Sequence, residues 1–177
     1  MKKYELTAEF IEKWGKKLFR IKALISFGSV EAGELGGYVE KEDNLAQDGD
    51  AWVYGNARVY GNAEVYGNAE VCGDAWVYGN ARVCGNARVY GNADYLLIGR
   101  IGSRFSFTTF FKNKDKGITV SCGCFLGTIA EFRAKVTDTH GNNKHAKIYN
   151  LAADMAELQI LGEEHFDKLN TNKSEPF

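Results

Sequence analysis

Two short segments in the C-terminal half of the chain carry residue types that can do chemistry. The first is the run from Gly99 to Arg104, followed by Thr108 and Thr109. Glycine lets backbone N–H groups approach an anion, hydroxyl groups donate hydrogen bonds, and arginine offers a forked donor. Phe105 or Phe107 can stack a nucleobase. The run therefore predicts a site for a nucleotide or another phosphate-bearing ligand. A β-turn leading into a strand with exposed arginines is the alternative interpretation.

The second segment is Cys122-Gly123-Cys124, with His140 and His145 downstream. On one strand the two cysteines would share a face, just before a helix N-terminus that can lower the pKa of a thiol. Two thiolates and two imidazoles can bind zinc, but C-x-C is not the usual knuckle spacing and a glycine separates the histidines. A Cys–His pair can also supply a nucleophile. Buried free thiols beside a surface histidine explain the same pattern.

Among these alternatives we favour a binding site over a catalytic one. We expect no catalytic residue, no metal site and no cofactor. The predicted ligand-binding residues are Arg100, Gly102, Ser103, Arg104, Thr108, Thr109, Cys122 and His140.

An internal repeat dominates the middle of the chain. From Ala51 it reads AWVYGN, ARVYGN, AEVYGN, AEVCGD, AWVYGN, ARVCGN and ARVYGN. Alternation along a short strand puts alanine and valine on one face and the variable residue between them on the other. Gly-Asn and Gly-Asp tolerate the backbone of a tight corner. Strands this short bury nothing alone, so the repeat predicts coils that stack on one another.

The repeat resembles the hexapeptide left-handed β-helix, in which a small residue follows an aliphatic one four positions later, as Ala57 follows Val53. The resemblance implies three hexapeptides per coil, so that residues 18 apart stack. That register predicts contacts between Glu64 and Arg82, Glu70 and Arg88, Tyr60 and Tyr78, and Asn62 and Asn80. It also predicts an outward aromatic face that serves as the interface of a homo-oligomer. The predicted interface residues are Trp52, Trp76, Tyr60 and Tyr78.

Many members of that family are acyltransferases with a histidine on the coil, and some are carbonic anhydrases with three coil histidines on zinc. This chain has no histidine between Met1 and Thr139. Neither activity can therefore be carried over, because a fold alone does not give a function.

The residues before the repeat predict a β-hairpin with a glycine turn inside residues 1–35. A short helix from Thr7 to Trp14, capped by Thr7, is the alternative. The run from Gly28 to Gly37 predicts a loop. Val39 and Leu45 fall on the alanine register of the repeat, where we expect them to plug its open end.

After the repeat, the pattern predicts strands at residues 95–98, 105–111 and 117–124. A helix from Ile129 to about Thr139 follows, with Thr128 and Glu131 forming a capping box. A second helix runs from about Asn143 to Leu161. The predicted apolar stripes are Ile129, Ala130, Phe132 and Val136 on the first helix, and Ile148, Leu151, Ala152, Met155, Leu158 and Ile160 on the second. We expect the tail from Lys173 to be frayed.

The predicted fold is thus mainly β: a left-handed β-helix followed by a small α+β domain with a β-hairpin and two C-terminal helices. The predicted domains are an N-terminal β cap (1–35), the repeat (36–94) and the C-terminal domain (95–177).

Composition narrows the classes of function. The 177 residues carry a net charge of −1, with 45% hydrophobic and 25% charged residues. This balance excludes a basic nucleic-acid coat, a strongly acidic DNA mimic and a disordered chain, and we expect no direct nucleic-acid binding. No apolar run is long enough to span a bilayer, and no apolar segment typical of a secretory signal follows Met1. Four cysteines without paired spacing predict a reducing cytoplasm, that of a bacterial host.

Taken whole, the chain is similar to small proteins of bacteriophages and prophages that join VYGNA hexapeptides to a C-terminal region. The strings that carry this likeness are IGSRFSFTTFF, ITVSCGCFLGTIAEF and THGNNKHA. The resemblance implies a phage setting. We therefore expect a non-enzymatic anti-defence protein whose C-terminal domain sequesters a nucleotide-like signal or blocks a host defence protein. The alternatives are a hexapeptide-type transferase, a Cys-dependent hydrolase, or a structural virion or scaffold protein.

Overall fold

The computed structural model describes residues 1–163 of the 177-residue chain. Two compact units divide it: the first spans Met1–Asn92 and the second begins at Ala93. The described residues are mainly β-strand, with two α-helices near the C-terminal end.

The first unit opens with an antiparallel hairpin of β1 (Tyr4–Lys13) and β2 (Lys16–Ala23). Trp14 and Gly15 form its turn with φ of 49° and 72°, the backbone that a two-residue hairpin turn requires. The predicted hairpin is thus confirmed. The alternative helix from Thr7 is wrong, because these residues pair across the hairpin instead.

The hairpin continues into the repeat through β3 (Leu35–Val39), which pairs antiparallel with β2 and parallel with a repeat strand. The predicted loop over residues 28–37 is therefore wrong at its end. This pairing covers a sheet edge that would otherwise present free backbone groups.

Seven two-residue strands follow, and their partners obey an 18-residue spacing. They are β4 (Trp52–Val53), β5 (Arg58–Val59), β6 (Glu64–Val65), β7 (Glu70–Val71), β8 (Trp76–Val77), β9 (Arg82–Val83) and β10 (Arg88–Val89). β7 pairs in parallel with both β4 and β10, β5 pairs with β8, and β6 pairs with β9. Three hexapeptides therefore make one coil. The repeated alanines and valines are at most 1% exposed, as alternation predicted.

Side chains of neighbouring coils meet as the register predicted. Arg82 Nε lies 3.2 Å from Glu64 Oε2, and Arg88 Nε lies 2.9 Å from Glu70 Oε2. The rings of Tyr60 and Tyr78 stack at 5.3 Å, and Asn62 donates to Asn80. The corner glycines from Gly55 to Gly85 have φ between 58° and 72°, where a side chain would be strained.

The coil before the first hexapeptide differs from the prediction. Val39 pairs with Val59, and Leu45 bridges Val65, each 20 residues further on. Both therefore lie in the valine column, not on the alanine register, because the segment between Leu45 and Ala51 holds two extra residues. Both side chains are buried at this end of the stack, as a plug requires.

The buried ammonium of Lys3 secures that longer segment. Its Nζ donates to the backbone carbonyls of Asp48, Gly49 and Ala51 at 3.3, 3.2 and 3.0 Å. It also lies 4.8 Å from the ring centroid of Phe27. The N-terminal residues thus close the end of the stack with hydrogen bonds as well as apolar packing.

The second unit is a four-stranded antiparallel meander with two helices. The strands are β11 (Tyr95–Ile101), β12 (Ser106–Lys112), β13 (Ile118–Cys122) and β14 (Phe125–Thr128), and the helices are α1 (Ile129–His140) and α2 (Lys144–Leu161). The Thr128–Glu131 capping box is confirmed. The sequence interpretation missed β14, because the chain turns at Gly123, whose φ is 60°.

The predicted apolar face of α2 is largely wrong. Its buried residues include Ala146, Tyr149, Ala153 and Ala156, which pack against the sheet and α1. Most of the large aliphatic side chains predicted to be buried are exposed instead: Ile148, Leu151, Met155 and Leu158. Ala130 on α1 is also exposed. Small alanines let the helix approach its neighbours closely, and bulkier residues in those positions would hold it away. The predicted frayed tail lies outside the described residues.

Candidate functional site

Four elements of the second unit bring polar side chains together around Tyr149. We call this set the Tyr149 cluster: Arg104, Cys122, His140, His145 and Tyr149. The residues come from the β11–β12 turn, the end of β13, the end of α1 and the first turns of α2. Gly102, with φ of 72°, lies against the ring and hydroxyl of Tyr149, and a Cβ there would overlap that hydroxyl. Glycine is therefore needed where the turn meets α2.

The Cys122 thiol is held by two hydroxyl groups. Thr108 Oγ1 donates to Cys122 Sγ at 3.2 Å from the neighbouring strand. The Tyr149 hydroxyl forms a second hydrogen bond with the thiol. Burial, together with the Cys122 sulfur, raises the pKa of Tyr149 to about 12, and Arg104 acts in the opposite direction. The phenol therefore keeps its proton at neutral pH and serves as a donor.

The two histidines extend the cluster. The His140 ring lies over the Tyr149 ring, with 5.8 Å between centroids and 27° between planes. The His145 ring is also 5.8 Å from the His140 ring. Within the described residues, Nδ1 of His145 is buried without a hydrogen-bond partner. The β11–β12 turn with Arg104 and the two imidazole rings thus meet at Tyr149. Guanidinium and imidazole groups can both donate hydrogen bonds to an anion.

Not all predicted ligand-binding residues reach this cluster. The structure brings together Gly102, Arg104, Thr108, Cys122 and His140. Arg100 lies near the end of β11 and Ser103 lies in the β11–β12 turn, and both are exposed. Thr109 is buried and, by alternation along β12, faces away from Thr108. Thr108 is itself fully buried, so its hydroxyl serves the thiol rather than an incoming ligand.

Sequence reasoning missed Tyr149, the residue at the centre of the cluster. A signal was present, because His145 and Tyr149 are four positions apart and so share one face of a helix. Phe105, beside Arg104 in the turn, is 69% exposed, which keeps its ring available for stacking.

The described residues offer no set of ligands for the zinc site that the sequence left open. Within residues 1–163, no group of three or more His, Cys, Asp or Glu side chains is placed to hold a metal ion. Cys122 and Cys124 do not share a strand face, because the chain turns at Gly123 between them. The thiols also do not directly precede a helix, since β14 lies between Cys124 and α1.

A groove of about 460 Å³ lies elsewhere on the second unit. It is lined by Phe125, Leu126, Glu131, Ala134, Lys135 and Asp138. The groove shares no residue with the Tyr149 cluster and holds no convergent set of donors, so we do not place the ligand there.

The predicted aromatic interface on the first unit is only partly exposed. Trp52 does point outward from the repeat, but it is fully buried because Tyr4 and Phe27 pack against it. Trp76 is partly covered by Trp14, with ring centroids 4.7 Å apart. Sequence reasoning missed Trp14, which occupies the hairpin turn.

What remains of that predicted interface is Tyr60 and Tyr78. Their stacked pair adjoins Trp14, and Tyr78 is 48% exposed. The N-terminal hairpin thus covers much of the repeat surface that would otherwise be available to another chain.

Among the described helices, none is long and apolar enough to cross a membrane.

A comparison with curated proteins found no match. A comparison with family models matched the YdcK beta solenoid repeat over residues 51–67 and 81–93. Both matched segments lie within the hexapeptides and the turn that follows them, where strands 18 residues apart pair in parallel. The chain is therefore a β-solenoid repeat protein with a further unit of four strands and two helices.

Proposed function

We propose that this chain is a non-enzymatic binding protein whose second unit holds a phosphate-bearing, nucleotide-like ligand at the Tyr149 cluster. The observation that carries the proposal is that the β11–β12 turn, which holds Arg104, contacts Tyr149 through Gly102, while the His140 ring lies over the same Tyr149 ring. A guanidinium and an imidazole together suit phosphate oxygens. The exposed Phe105 ring next to Arg104 suits the base of the same ligand.

The solenoid serves in this proposal as a rigid support, wound left-handed as its hexapeptide resemblance implies. In the phage setting that the second resemblance implies, the protein would sequester a nucleotide signal of host defence. Binding without turnover is sufficient for that role. The form in which the protein blocks a host protein complex draws no support from the cluster.

Calorimetry with cyclic and ADP-ribose-type nucleotides tests the proposal. We expect one member of the panel to bind, and Arg104→Ala to weaken it by about tenfold or more, as loss of a charged hydrogen bond does. His140→Ala removes the imidazole donor and should also weaken binding. Arg100→Ala is the matched control, since Arg100 is an exposed arginine outside the cluster. Absence of binding to every nucleotide, or equal losses for both arginine variants, would overturn the proposal.

A Cys-dependent hydrolase is the second candidate, because two hydroxyl groups hydrogen-bond the Cys122 sulfur. These hydrogen bonds hold the sulfur in a fixed position, which a nucleophile requires. The same nucleotide panel distinguishes the candidates when products are followed by chromatography. Turnover that Cys122→Ala abolishes would establish the hydrolase, and binding without product would establish the sequestering protein.

A further inference from the structure

One face of α2 is apolar and open to solvent. Its members, here called the α2 stripe, are Ile148, Leu151, Met155 and Leu158, which are 38%, 63%, 57% and 46% exposed. They are separated by three, four and three positions, so they form one continuous line along the helix. The opposite face already packs in the core of the unit through its alanines and Tyr149. Four large apolar side chains in one exposed line are typical of a helix that packs against another helix.

The spacing of the α2 stripe is the same from either end. If two copies of α2 run antiparallel about a two-fold axis at Ala153, Ile148 meets Leu158 of the other copy. In the same arrangement Leu151 meets Met155. A two-fold interface requires such self-complementarity, because one surface must match itself.

The charges of α2 favour the same antiparallel arrangement. Its first turn holds no acidic residue, and its last turn holds no basic residue. Instead, the exposed Lys144 and Lys147 lie at the amino-terminal end, opposite to the usual preference for acidic residues there. In an antiparallel pair, these lysines lie beside the last carbonyl groups of the other helix and beside Glu163. A second copy thus supplies the negative charge that the helix itself lacks at this end.

We propose that the chain forms a two-fold symmetric dimer through antiparallel pairing of its α2 helices. This interface lies on the second unit, whereas the sequence predicted a homo-oligomer through the aromatic face of the repeat. It does not depend on the proposed ligand, because the α2 stripe and the Tyr149 cluster share no residue.

Sedimentation of the full chain over a roughly hundredfold range of concentration tests the dimer. We expect the wild type to be dimeric, and Leu151→Glu or Met155→Glu to raise the dissociation constant by about 100-fold, since each buries a charge in an apolar interface. Leu126→Glu is the matched control, because Leu126 is a half-exposed leucine on β14, outside the stripe. Circular dichroism checks that all three variants keep their folded spectrum.

A cross-linking experiment tests the orientation in a Cys124→Ser background, which removes the exposed thiol. Mixed Leu151→Cys and Met155→Cys chains should form a heterodisulfide in preference to either homodisulfide. A preference for the homodisulfides would overturn the antiparallel arrangement. A monomer at every concentration, or a dimer that Leu151→Glu leaves intact, would overturn the proposal. So would a chain that dimerises only after removal of residues 164–177, which would assign the stripe to that segment.

Discussion

Single residues in this protein often owe their roles to distant parts of the sequence. Arg104, Cys122 and His140 could be selected from their types alone, because arginine, cysteine and histidine carry chemistry wherever they lie. Tyr149 could not, since a tyrosine within a helical pattern is usually a core residue. Its role follows from the β11–β12 turn, where Gly102 lies against the phenol. Contacts of this kind join residues far apart in the chain, and no local pattern records them.

Lys3 gives a prediction at this scale. Its buried ammonium donates to three backbone carbonyls, so we expect Lys3→Met to lower the free energy of unfolding by about 2 kcal/mol. Urea titration measures the change. Lys2→Met is the matched control, because the neighbouring Lys2 forms an exposed ion pair with Glu42 and its loss should change stability by less than about 1 kcal/mol.

The pKa of Lys3 adds a pH dependence to that prediction. Burial lowers the pKa from 10.5 to about 8, against the opposing effect of Asp48 and Asp50. Between these two values the unfolded chain holds a proton that the folded chain has released. Stability therefore rises with pH across this window. The wild type should gain unfolding free energy relative to Lys3→Met from about pH 8 to about pH 10.5, and parallel pH profiles would contradict the assignment.

Among the elements, local sequence signals predicted where the helices begin and end better than they predicted which helix face is buried. Thr128 and Glu131 fixed the start of α1, and Gly141 its end, because capping depends on neighbouring residues. The buried face of α2 was mistaken because large aliphatics were assigned to the core. The competing stripe of Ala146, Tyr149, Ala153, Ala156 and Ile160 also has helical spacing. Close approach to the sheet and α1 selects the alanines, and that requirement is a property of the tertiary structure.

The orientation of α2 can be tested with one pair of substitutions. Ala153 is fully buried, so we expect Ala153→Leu to overpack the core and lower the unfolding free energy by about 1–3 kcal/mol. The same change at the exposed Ala130 on α1 should leave stability within about 0.5 kcal/mol. Thermal melting of both variants measures the difference. A larger loss at Ala130 than at Ala153 would contradict the observed packing.

At the scale of the whole molecule, the repeat was the most predictable part. Residues 18 apart are neighbours in every coil, so partners such as Glu70 and Arg88 follow from counting once the number of hexapeptides per coil is known. The exception is the first coil, where two extra residues before Ala51 shift Val39 and Leu45 into the valine column. Counting fails there because the repeat itself has not yet begun.

The coil spacing predicts which deletions the protein tolerates. Removing residues 69–86 takes out one coil and leaves Trp52 to pair with Arg88 in the same column. We expect this variant to fold and to melt cooperatively at a lower temperature, because each coil contributes its own contacts to stability. Circular dichroism measures both properties.

Removing only residues 69–71 is the control. That change breaks the alternation within one hexapeptide, and the following alanines and valines can no longer all face the interior. This variant should lose its cooperative transition. Equal melting curves for the two deletions would show that the spacing does not govern the fold.

In all seven hexapeptides the first and third positions hold buried alanine and valine, so one coil can replace another without changing these contacts. A tandem gain or loss of eighteen codons in the gene would therefore lengthen or shorten the solenoid in steps of one strand spacing, about 4.8 Å. Each step would return the chain to the same face with its interior intact. Ordinary errors of DNA replication can thus change the length of this protein. Only changes by whole coils keep the core packed, so only these give a folded chain.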